Sequence, residues 1–345
     1  MPGPTIHDVA KEAGVSIATV SYVLNNSRRV GAETRASVLA AASGLGYHAN
    51  TTARNLQASE TRLIGYSWRP SLPGQFNPIL DEFLHAIANA ASTHGYRILT
   101  FPSPTAEIEL AAYHSMMRTR QVDGFILSNT NFDDARVRDL MRVNFPFVSF
   151  GQANVDWAFP WVDVDGQAGV RLATQHLIAQ GHQRIAFLAW PSGSQTGYYR
   201  RAGYLAAMDA APLPVDTEWL AEAGNYHDDA YAATRRLLAL PPARRPSAIV
   251  ASSDLMAMGA LNAGWDAGLV VGRDLAVVGF DDAPVARFLR PALTSVAQPI
   301  VEVGETLITL LIAAIQGEPA TRQGSLLSPT LVVRESSNVP FLDYL

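Results

Sequence analysis

No cysteine occurs in the 345 residues, so a disulfide framework and thiolate metal sites are both excluded. Long apolar runs are missing as well. Nothing approaches the ~18 consecutive apolar residues of a membrane span, and the greasiest stretch, residues 307–315, has the length of a buried helix. The N-terminus has no apolar core of the kind a secretion signal carries, so a cytoplasmic protein with no membrane partner is expected. Enzyme signatures are also absent. No G-x-G-x-x-G follows the first expected strand, no G-x-x-x-x-G-K-[ST] occurs, and Gly193-Ser194 does not complete a G-x-S-x-G elbow. His227-Asp228-Asp229 has no second metal-spaced pair and reads as a helix start. The N-x-[ST] sites at Asn25 and Asn50 carry no glycosylation meaning in a cytoplasmic chain. No cofactor, metal or catalysis is expected.

What is present can build real cores. The chain is 48% hydrophobic and 17% charged, and its length allows two or three domains. A net charge of −5 argues at first against nucleic acid, but the charge is unevenly placed. Residues 1–58 carry Lys11, Arg28, Arg29, Arg35 and Arg54 against Asp8, Glu12 and Glu33, a net of +2, which leaves −7 for the rest. A basic head on an acidic body suits a module that touches phosphates while its body stays clear of them. The head is only weakly basic, so two copies would be needed to double the contacts.

The stretch that organises the chain is residues 5–26, T-I-H-D-V-A-K-E-A-G-V-S-I-A-T-V-S-Y-V-L-N-N. Thr5 is an N-cap with Asp8 three residues on, a capping box. Ile6, Val9, Ala10 and Ala13 form one apolar stripe at helical spacing. Gly14 ends that helix, and Ser16 caps a second helix running to about Leu24. Its inward residues are Val20 and Leu24, helped by Val15 and Val23. Ile17, Ala18, Ser21 and Tyr22 are left on the outer face. A short helix held by a Gly turn, with an uncharged outer face, is the shape that enters a DNA major groove; a plain helical hairpin has the same spacing. A third helix is expected at 32–44, with Val38, Ala41, Ala42 and Leu45 facing the first two. Residues 47–59 then read as an interdomain linker or as a short helix capped by Asn50.

The wording of residues 5–26 resembles the DNA-binding head of the LacI/GalR (lactose-repressor-like) family, whose first helices read T-I-x-D-V-A-x-x-A-G-V-S-x-x-T-V-S-x-V-L-N. The likeness continues through V-G-A-E-T-R at 30–35 and L-G-Y at 45–47. It returns in the body with H-L-I-A-Q-G-H-Q-R-I-A-F-L at 176–188 and L-A-V-V-G-F-D-D at 275–282. The resemblance implies palindromic operator DNA as a partner, contacted through Thr5, Ser16, Ile17, Ala18, Thr19, Ser21, Tyr22 and Asn25. It also implies that 49–60 is a hinge helix, with Arg54 on DNA and Leu56 wedged between base steps in the minor groove. One departure stands in the recognition helix: Tyr22 occupies a position where many relatives carry Arg.

From residue 61 strands and helices alternate, which implies parallel sheets covered by helices on both faces. Strands are expected at 63–66, 97–101, 124–128, 146–150, 184–189, 248–251 and 275–280. Helices are expected at 78–94, 106–120, 133–141, 166–180, 198–209, 227–240 and 254–267. Two such halves in series imply a cleft. The fold expected is therefore an N-terminal all-α helix-turn-helix head with a hinge helix, then an α/β body of two parallel-sheet lobes. The resemblance makes that body periplasmic-binding-protein-like, with three crossings placed near Val162, Ala292 and Gln323. The resulting domains are 1–48 (head), 49–60 (hinge) and 61–345 (effector-binding). Lobe 1 takes about 61–162 and 293–323, and lobe 2 about 163–292 and 324–340.

Ligands of open α/β sheets bind outside the carboxyl ends of the strands. The residues just after the strands are therefore the candidates: Trp68, Arg69, Phe76, Asn77, Ser128 and Gly151 in the first half, and Trp190, Arg200, Tyr226, Ser253 and Asp281 in the second. Carboxylates and amides bond paired sugar hydroxyls, Arg donates two bonds at once, and aromatic faces meet the sugar's C–H surface. A Trp after a strand also serves packing, Asp281 or Asp282 can cap the next segment, and Asp254 reads as the cap of its own helix. The family's effector-contacting arginine in R-x-x-G-[aromatic] corresponds to Arg200, the Asp after V-V-G-[YF] to Asp281, and the aromatic after the G-[DN] turn to Tyr226. Two positions depart from the pattern. Ser253 stands where many relatives carry Asn, and Gly151 stands where a sugar-binding Asp falls.

The function expected is an effector-responsive, sequence-specific DNA-binding transcription regulator, a repressor, that binds a small molecule of the carbohydrate class between its lobes. A stand-alone cytoplasmic binding module is the alternative, and the capped helix-turn-helix argues against it. Lobe closure would be coupled to pairing of the hinge helices on DNA. Only twelve residues including a Pro follow Val333, too few for the heptad helix that tetrameric relatives add, so a homodimer is expected.

Overall fold

The computed structural model describes residues 4–24, 29–47, 60–70, 77–191, 193–318 and 324–338. The hinge positions Arg54 and Leu56, with Asn25, Phe76 and the third crossing at Gln323, lie outside the described residues. The chain divides into two compact units, residues 1–61 and 62–345.

In the first unit, α1 (Ile6–Glu12), α2 (Ile17–Leu24) and α3 (Ala32–Leu45) enclose a small core of Val9, Ala10, Val20, Val23, Val38 and Ala42. The capping box is formed: the Thr5 side chain accepts from the Asp8 amide, and the Thr5 amide donates to Asp8 Oδ2 at 2.8 Å. Gly14 takes φ +67°, which a side chain rarely adopts, and so ends α1. Two expected core positions change. Val23 is fully buried and Leu24 only partly, because 20 and 23 share the inward stripe of α2. Leu45 is exposed, and Tyr47, just beyond the left-handed cap Gly46, packs inward instead.

The second unit carries two six-stranded sheets. The first has order β11-β5-β4-β3-β1-β2, from β1 (Leu63–Trp68), β2 (Arg97–Pro102), β3 (Gly124–Leu127), β4 (Phe147–Phe150), β5 (Trp161–Val164) and β11 (Ser325–Leu327). All its described pairings are parallel. The second has order β12-β10-β9-β8-β6-β7, from β6 (Ile185–Ala189), β7 (Leu220–Glu222), β8 (Ala248–Ala251), β9 (Ala276–Asp281), β10 (Thr294–Ala297) and β12 (Thr330–Val332). Its only antiparallel pairing among the described residues joins β10 to β12.

Central strands are buried along their whole length (Gly124–Leu127, Ile185–Ala189, Ala248–Ala251), as strands covered on both faces must be. In lobe 1, α4 (Pro78–Thr93) and α11 (Ile300–Ile315) cover one face through Phe83, Ile87, Val303, Leu307 and Leu311. The other face is covered by α5 (Ala106–Arg118) and α6 (Ala135–Val143) through Tyr113, Val137 and Leu140. In lobe 2, α7 (Gly166–Ala179) and α8 (Gln195–Ala210) bury Val170, Leu177, Tyr204 and Met208 on one face. On the other, α9 (His227–Leu238) and α10 (Asp254–Asp266) bury Ala230, Leu237, Met256 and Leu261. The α7–α8 pair meets backbone to backbone: a Cβ at Gly203 would lie 2.2 Å from the Gln167 carbonyl oxygen.

The crossings fall later than the sequence places them. The chain leaves the first sheet after Val164, returns to lobe 1 after Ala297, and leaves it again between Leu327 and Thr330. Residues 295–297 therefore pair with β9 in the second sheet before α11 begins, and Leu326 pairs with Asp163 in the first sheet. These strands are three or four residues long, too short for their own pattern to identify them. The helix expected at 198–209 starts earlier, at Gln195, where Ser194 caps it by accepting from the Gly197 amide.

Candidate functional site

On α2 the outer face is as the sequence orders it. Ile17 and Tyr22 are exposed at 42% and 44%, Ala18 is exposed beside them, and Ser21 is half-buried. Three of the hydroxyls on this surface are already engaged. Thr5 Oγ1 donates to Asp8 Oδ2 at 2.7 Å, and Ser16 Oγ accepts from the Thr19 amide at 3.1 Å and lies 2.8 Å from Thr19 Oγ1. The free outer surface is thus Ile17, Ala18 and Tyr22, a mostly apolar strip with one phenol.

The body's cleft follows from the strand order. In lobe 1 β2 and β3 lie on opposite sides of β1, and in lobe 2 β7 and β8 lie on opposite sides of β6. Loops diverge at such reversals and leave a crevice outside the carboxyl ends of the strands. A cavity of about 340 Å³ occupies it, near the lower end of the ~300–1,000 Å³ usual for small-molecule sites. Lobe 1 contributes an apolar wall of Tyr66, Ile79, Leu80, Phe83 and Phe150, with Ser128, Asn129, Thr130 and Asp163 beside it. Lobe 2 contributes Trp190, Gln195, Thr196, Tyr199, Arg200, Asn225 and Asp281, and Gln298 follows the second sheet's β10.

Arg200 is the centre of the polar half. It is only 5% exposed. Its guanidinium lies between two rings, 4.9 Å from the centre of Trp190 and 3.6 Å from that of Phe280, a cation–π arrangement that partly replaces lost water. Nη1 donates to the Ser252 carbonyl, Nη2 is 3.9 Å from Asp281 Oδ1, and Nε has no partner. The residues around it explain the R-x-x-G-Y spelling. Gly203 permits the close crossing with α7, and buried Tyr204 stacks on Phe187 and donates to the Ile185 carbonyl at 2.8 Å. That anchors α8 and aims Arg200 at the cleft. Trp190 repeats the pattern of an unused donor: its Nε1 is buried without an acceptor.

Two cavity carboxylates, Asp281 and Asp163, complete the set, with Asp254 behind Asp281. Asp281, at the end of β9, accepts from Gln298 Nε2 at 2.7 Å and sits at φ +119°, a conformation uncommon for a non-glycine residue. Asp254 holds the turn that carries it, accepting from the Ala283 amide at 2.8 Å and from Ser295 Oγ. Burial pushes the Asp254 carboxyl well above the usual range. Burial also pushes Asp281 up to about 6, against the pull of Arg200 and Gln298. Asp163, at the end of β5 in the opposite lobe, is pushed up to about 6 by burial, opposed by backbone bonds from Val164 and Gln152 and by the charge of Arg200. The cavity wall therefore carries a guanidinium, an indole and the carboxylates of Asp163 and Asp281 together, which suits a ligand whose groups both donate and accept, as hydroxyls do.

Six of the eleven sequence-derived cleft candidates line this cavity: Asn77, Ser128, Gly151, Trp190, Arg200 and Asp281. Phe76 lies outside the described residues, and four do not line it. Arg69 is exposed and absent from the wall. Trp68 packs on the lobe 1 core. Ser253 is 1% exposed and serves as the cap of α10, accepting from the Met256 amide and donating to Asn225 Oδ1 at 2.6 Å. Asp254, which the sequence reads as that cap, instead bonds across to the 281–283 turn. Tyr226 faces solvent at 39% exposure and its neighbour Asn225 enters the cavity. Sequence reasoning missed Asp163, Asn225, Gln298 and Tyr199. Asp163 was legible only as the outward residue of V-D-V, in a strand not recognised as one.

Comparison with known proteins agrees with these features. Residues 5–50 match the model of bacterial regulatory proteins of the lacI family, and residues 174–337 match a periplasmic binding protein-like domain. The HTH-type transcriptional repressor PurR of Erwinia tasmaniensis is 34% identical over 99% of both chains. A lac repressor dimer bound to operator and the anti-inducer ONPF is 29% identical, with TM-score 0.82 over 98% of this chain and 100% of that one. The transcriptional regulator CelR in complex with cellobiose is 32% identical, with TM-score 0.74 over 96% and 99% of the two chains. A helix-turn-helix unit joined in one chain to a two-lobed binding body defines a DNA-binding transcription regulator. The chain belongs to the LacI family of bacterial regulatory proteins. Its relatives are repressors and not enzymes, and no helix among the described residues is long and apolar enough to cross a membrane.

Proposed function

We propose that this protein is an effector-controlled repressor that acts as a homodimer on palindromic operator DNA and takes a neutral carbohydrate in the interlobe cavity. Arg200 carries the reading of the cavity: a buried cation between two rings, with Nε unpaired, beside Asp281 and within the influence of Asp163. An anionic ligand would meet both carboxylates, while hydroxyls satisfy donors and acceptors alike. The cellobiose complex of the related regulator supports the carbohydrate class, and the dimeric lac repressor on its operator supports the assembly. Ser128, Trp190, Arg200 and Asp281 are the effector contacts in this account, with Asp163, Asn225 and Gln298 added to them.

On the DNA side, Ile17, Ala18, Ser21 and Tyr22 face the bases and Thr5, Ser16 and Thr19 lie along the phosphates. Effector binding changes the angle between lobes in each protomer and with it the fit of the paired heads to the operator. A thermal-shift screen of mono- and oligosaccharides and purines against wild type and Arg200→Ala tests the reading. A sugar that raises the melting temperature of wild type only is the expected result. Stabilisation by a purine and by no sugar overturns the carbohydrate class.

A further inference from the structure

Three aromatic rings meet beside the cavity, Phe132 from lobe 1 and Tyr198 and Tyr199 from lobe 2. Phe132, in the loop before α6, lies edge-on to Tyr198 of α8 with centroids 6.1 Å apart, and 6.5 Å from Tyr199. Tyr198 and Tyr199 are themselves 5.4 Å apart at 75°. Tyr199 lines the cavity, so the cluster continues it outward. Phe132 and Tyr198 remain 45% and 63% exposed.

The loop that carries Phe132 is firmly built. Asp133 and Asn154 bond each other twice, Asp133 N to Asn154 Oδ1 at 2.9 Å and Asn154 Nδ2 to Asp133 Oδ1 at 2.7 Å. Asp134 accepts from Asn131 and Arg136, and Arg136 reaches the Ser128 and Asn129 carbonyls beside the cavity. The lobes touch here through polar groups that need no ring: Gln195 N donates to Asn131 Oδ1 at 3.1 Å, and Gln195 Nε2 to the Ala153 carbonyl at 3.0 Å. About half of the Phe132 and Tyr198 surface stays exposed despite these ring contacts, and that surface is available to the C–H face of a second sugar ring.

We infer that Phe132, Tyr198 and the outer side of Tyr199 form a second subsite, so that the effector is a carbohydrate of two or more rings. One ring sits in the polar cavity at Arg200, and the next stacks on these aromatics. This inference rests on the carbohydrate reading of the cavity.

The test is isothermal titration of the full chain with glucose, galactose and mannose beside cellobiose, maltose, lactose, mannobiose and the corresponding trisaccharides. The expected tightest binder is a di- or trisaccharide. Phe132→Ala and Tyr198→Ala should each weaken it about tenfold while leaving the monosaccharide within about twofold, and Tyr198→Phe should restore it. Both residues are half-exposed, and unchanged melting temperatures of the variants confirm that the fold is kept. A monosaccharide bound as tightly as any longer sugar overturns the subsite and leaves the cavity reading standing. Equal loss for short and long sugars also overturns it, because the rings then act only on lobe closure. Binding of no sugar at any length overturns the cavity reading and the subsite with it.

Discussion

Arg200 lies with its guanidinium carbon 3.6 Å from the centre of the Phe280 ring, in the same chain segment order that brings Asp281 immediately after that ring. The cation is thus fixed by an aromatic face on one side, and its carboxylate neighbour is 3.9 Å away, too far for a tight ion pair. Arg200→Ala should abolish the effector response and leave effector-free operator binding intact. Removing one partner of a buried charged pair costs ~2–5 kcal/mol. Arg200→Lys keeps the charge and loses the planar fork, so it should also fail. Fluorescence anisotropy on operator DNA across an effector titration checks both variants.

Asp163 should give the body a measurable pH dependence. Its carboxyl titrates near 6 when folded and near 4 when unfolded. Between those values the folded state binds the extra proton, so stability falls as pH rises from about 4 to 6 and stays lower above. Asp163→Asn removes that term. The melting temperature of the variant should exceed that of wild type by a margin that is small at pH 4, grows through pH 6 and is level at pH 7 to 8. A margin independent of pH would mean that the folded carboxyl titrates normally.

Gly203→Ala should destabilise the body and, because α8 carries Arg200 and Gln167 lines the cavity, disturb the cavity as well. The added methyl meets the Gln167 carbonyl oxygen at 2.2 Å and the Arg171 amide at 3.1 Å, and backbone cannot yield as a flexible side chain can. Overpacking of this kind costs ~1–3 kcal/mol. Denaturant unfolding should show a lower midpoint with an unchanged slope.

Tyr22→Arg should change the DNA read and not only the affinity. Ile17, Ala18 and Tyr22 form an exposed face without a guanidinium, so the parent lacks the bidentate contact to guanine. The substitution should enrich guanine at one position of each half-site by ~1–3 kcal/mol. Selection from randomised half-sites, read for parent and variant, measures it. Identical base preferences would place residue 22 against the phosphates.

The head was legible because its signals are local: Thr5 with Asp8, Gly14, Ser16 and the spacing of Val9, Val20 and Val38 all act within a few turns. The lobes were legible from alternation. The cleft was half legible, since Ser128, Trp190, Arg200 and Asp281 stand directly at strand ends or in a motif. Tyr226 and Ser253 failed because a position after a strand does not say whether a side chain caps a helix, faces water or enters the cavity. The Ser253–Asn225 hydrogen bond decides that, and it spans 28 residues. Asp163 and the late crossings escaped because β5, β10 and β11 are only three or four residues long, too short to show a period, and β11 is held by β5 from far earlier in the chain.

The central claim is that occupancy of the cavity and operator binding are coupled. Operator affinity should be measured with and without a saturating sugar from the screen, and sugar affinity with and without saturating operator. The account predicts that each ligand shifts the other's dissociation constant in the same direction and by the same factor, on the order of 5- to 150-fold, and that Arg200→Ala abolishes the shift. An operator affinity that is unchanged when the cavity is filled would contradict it.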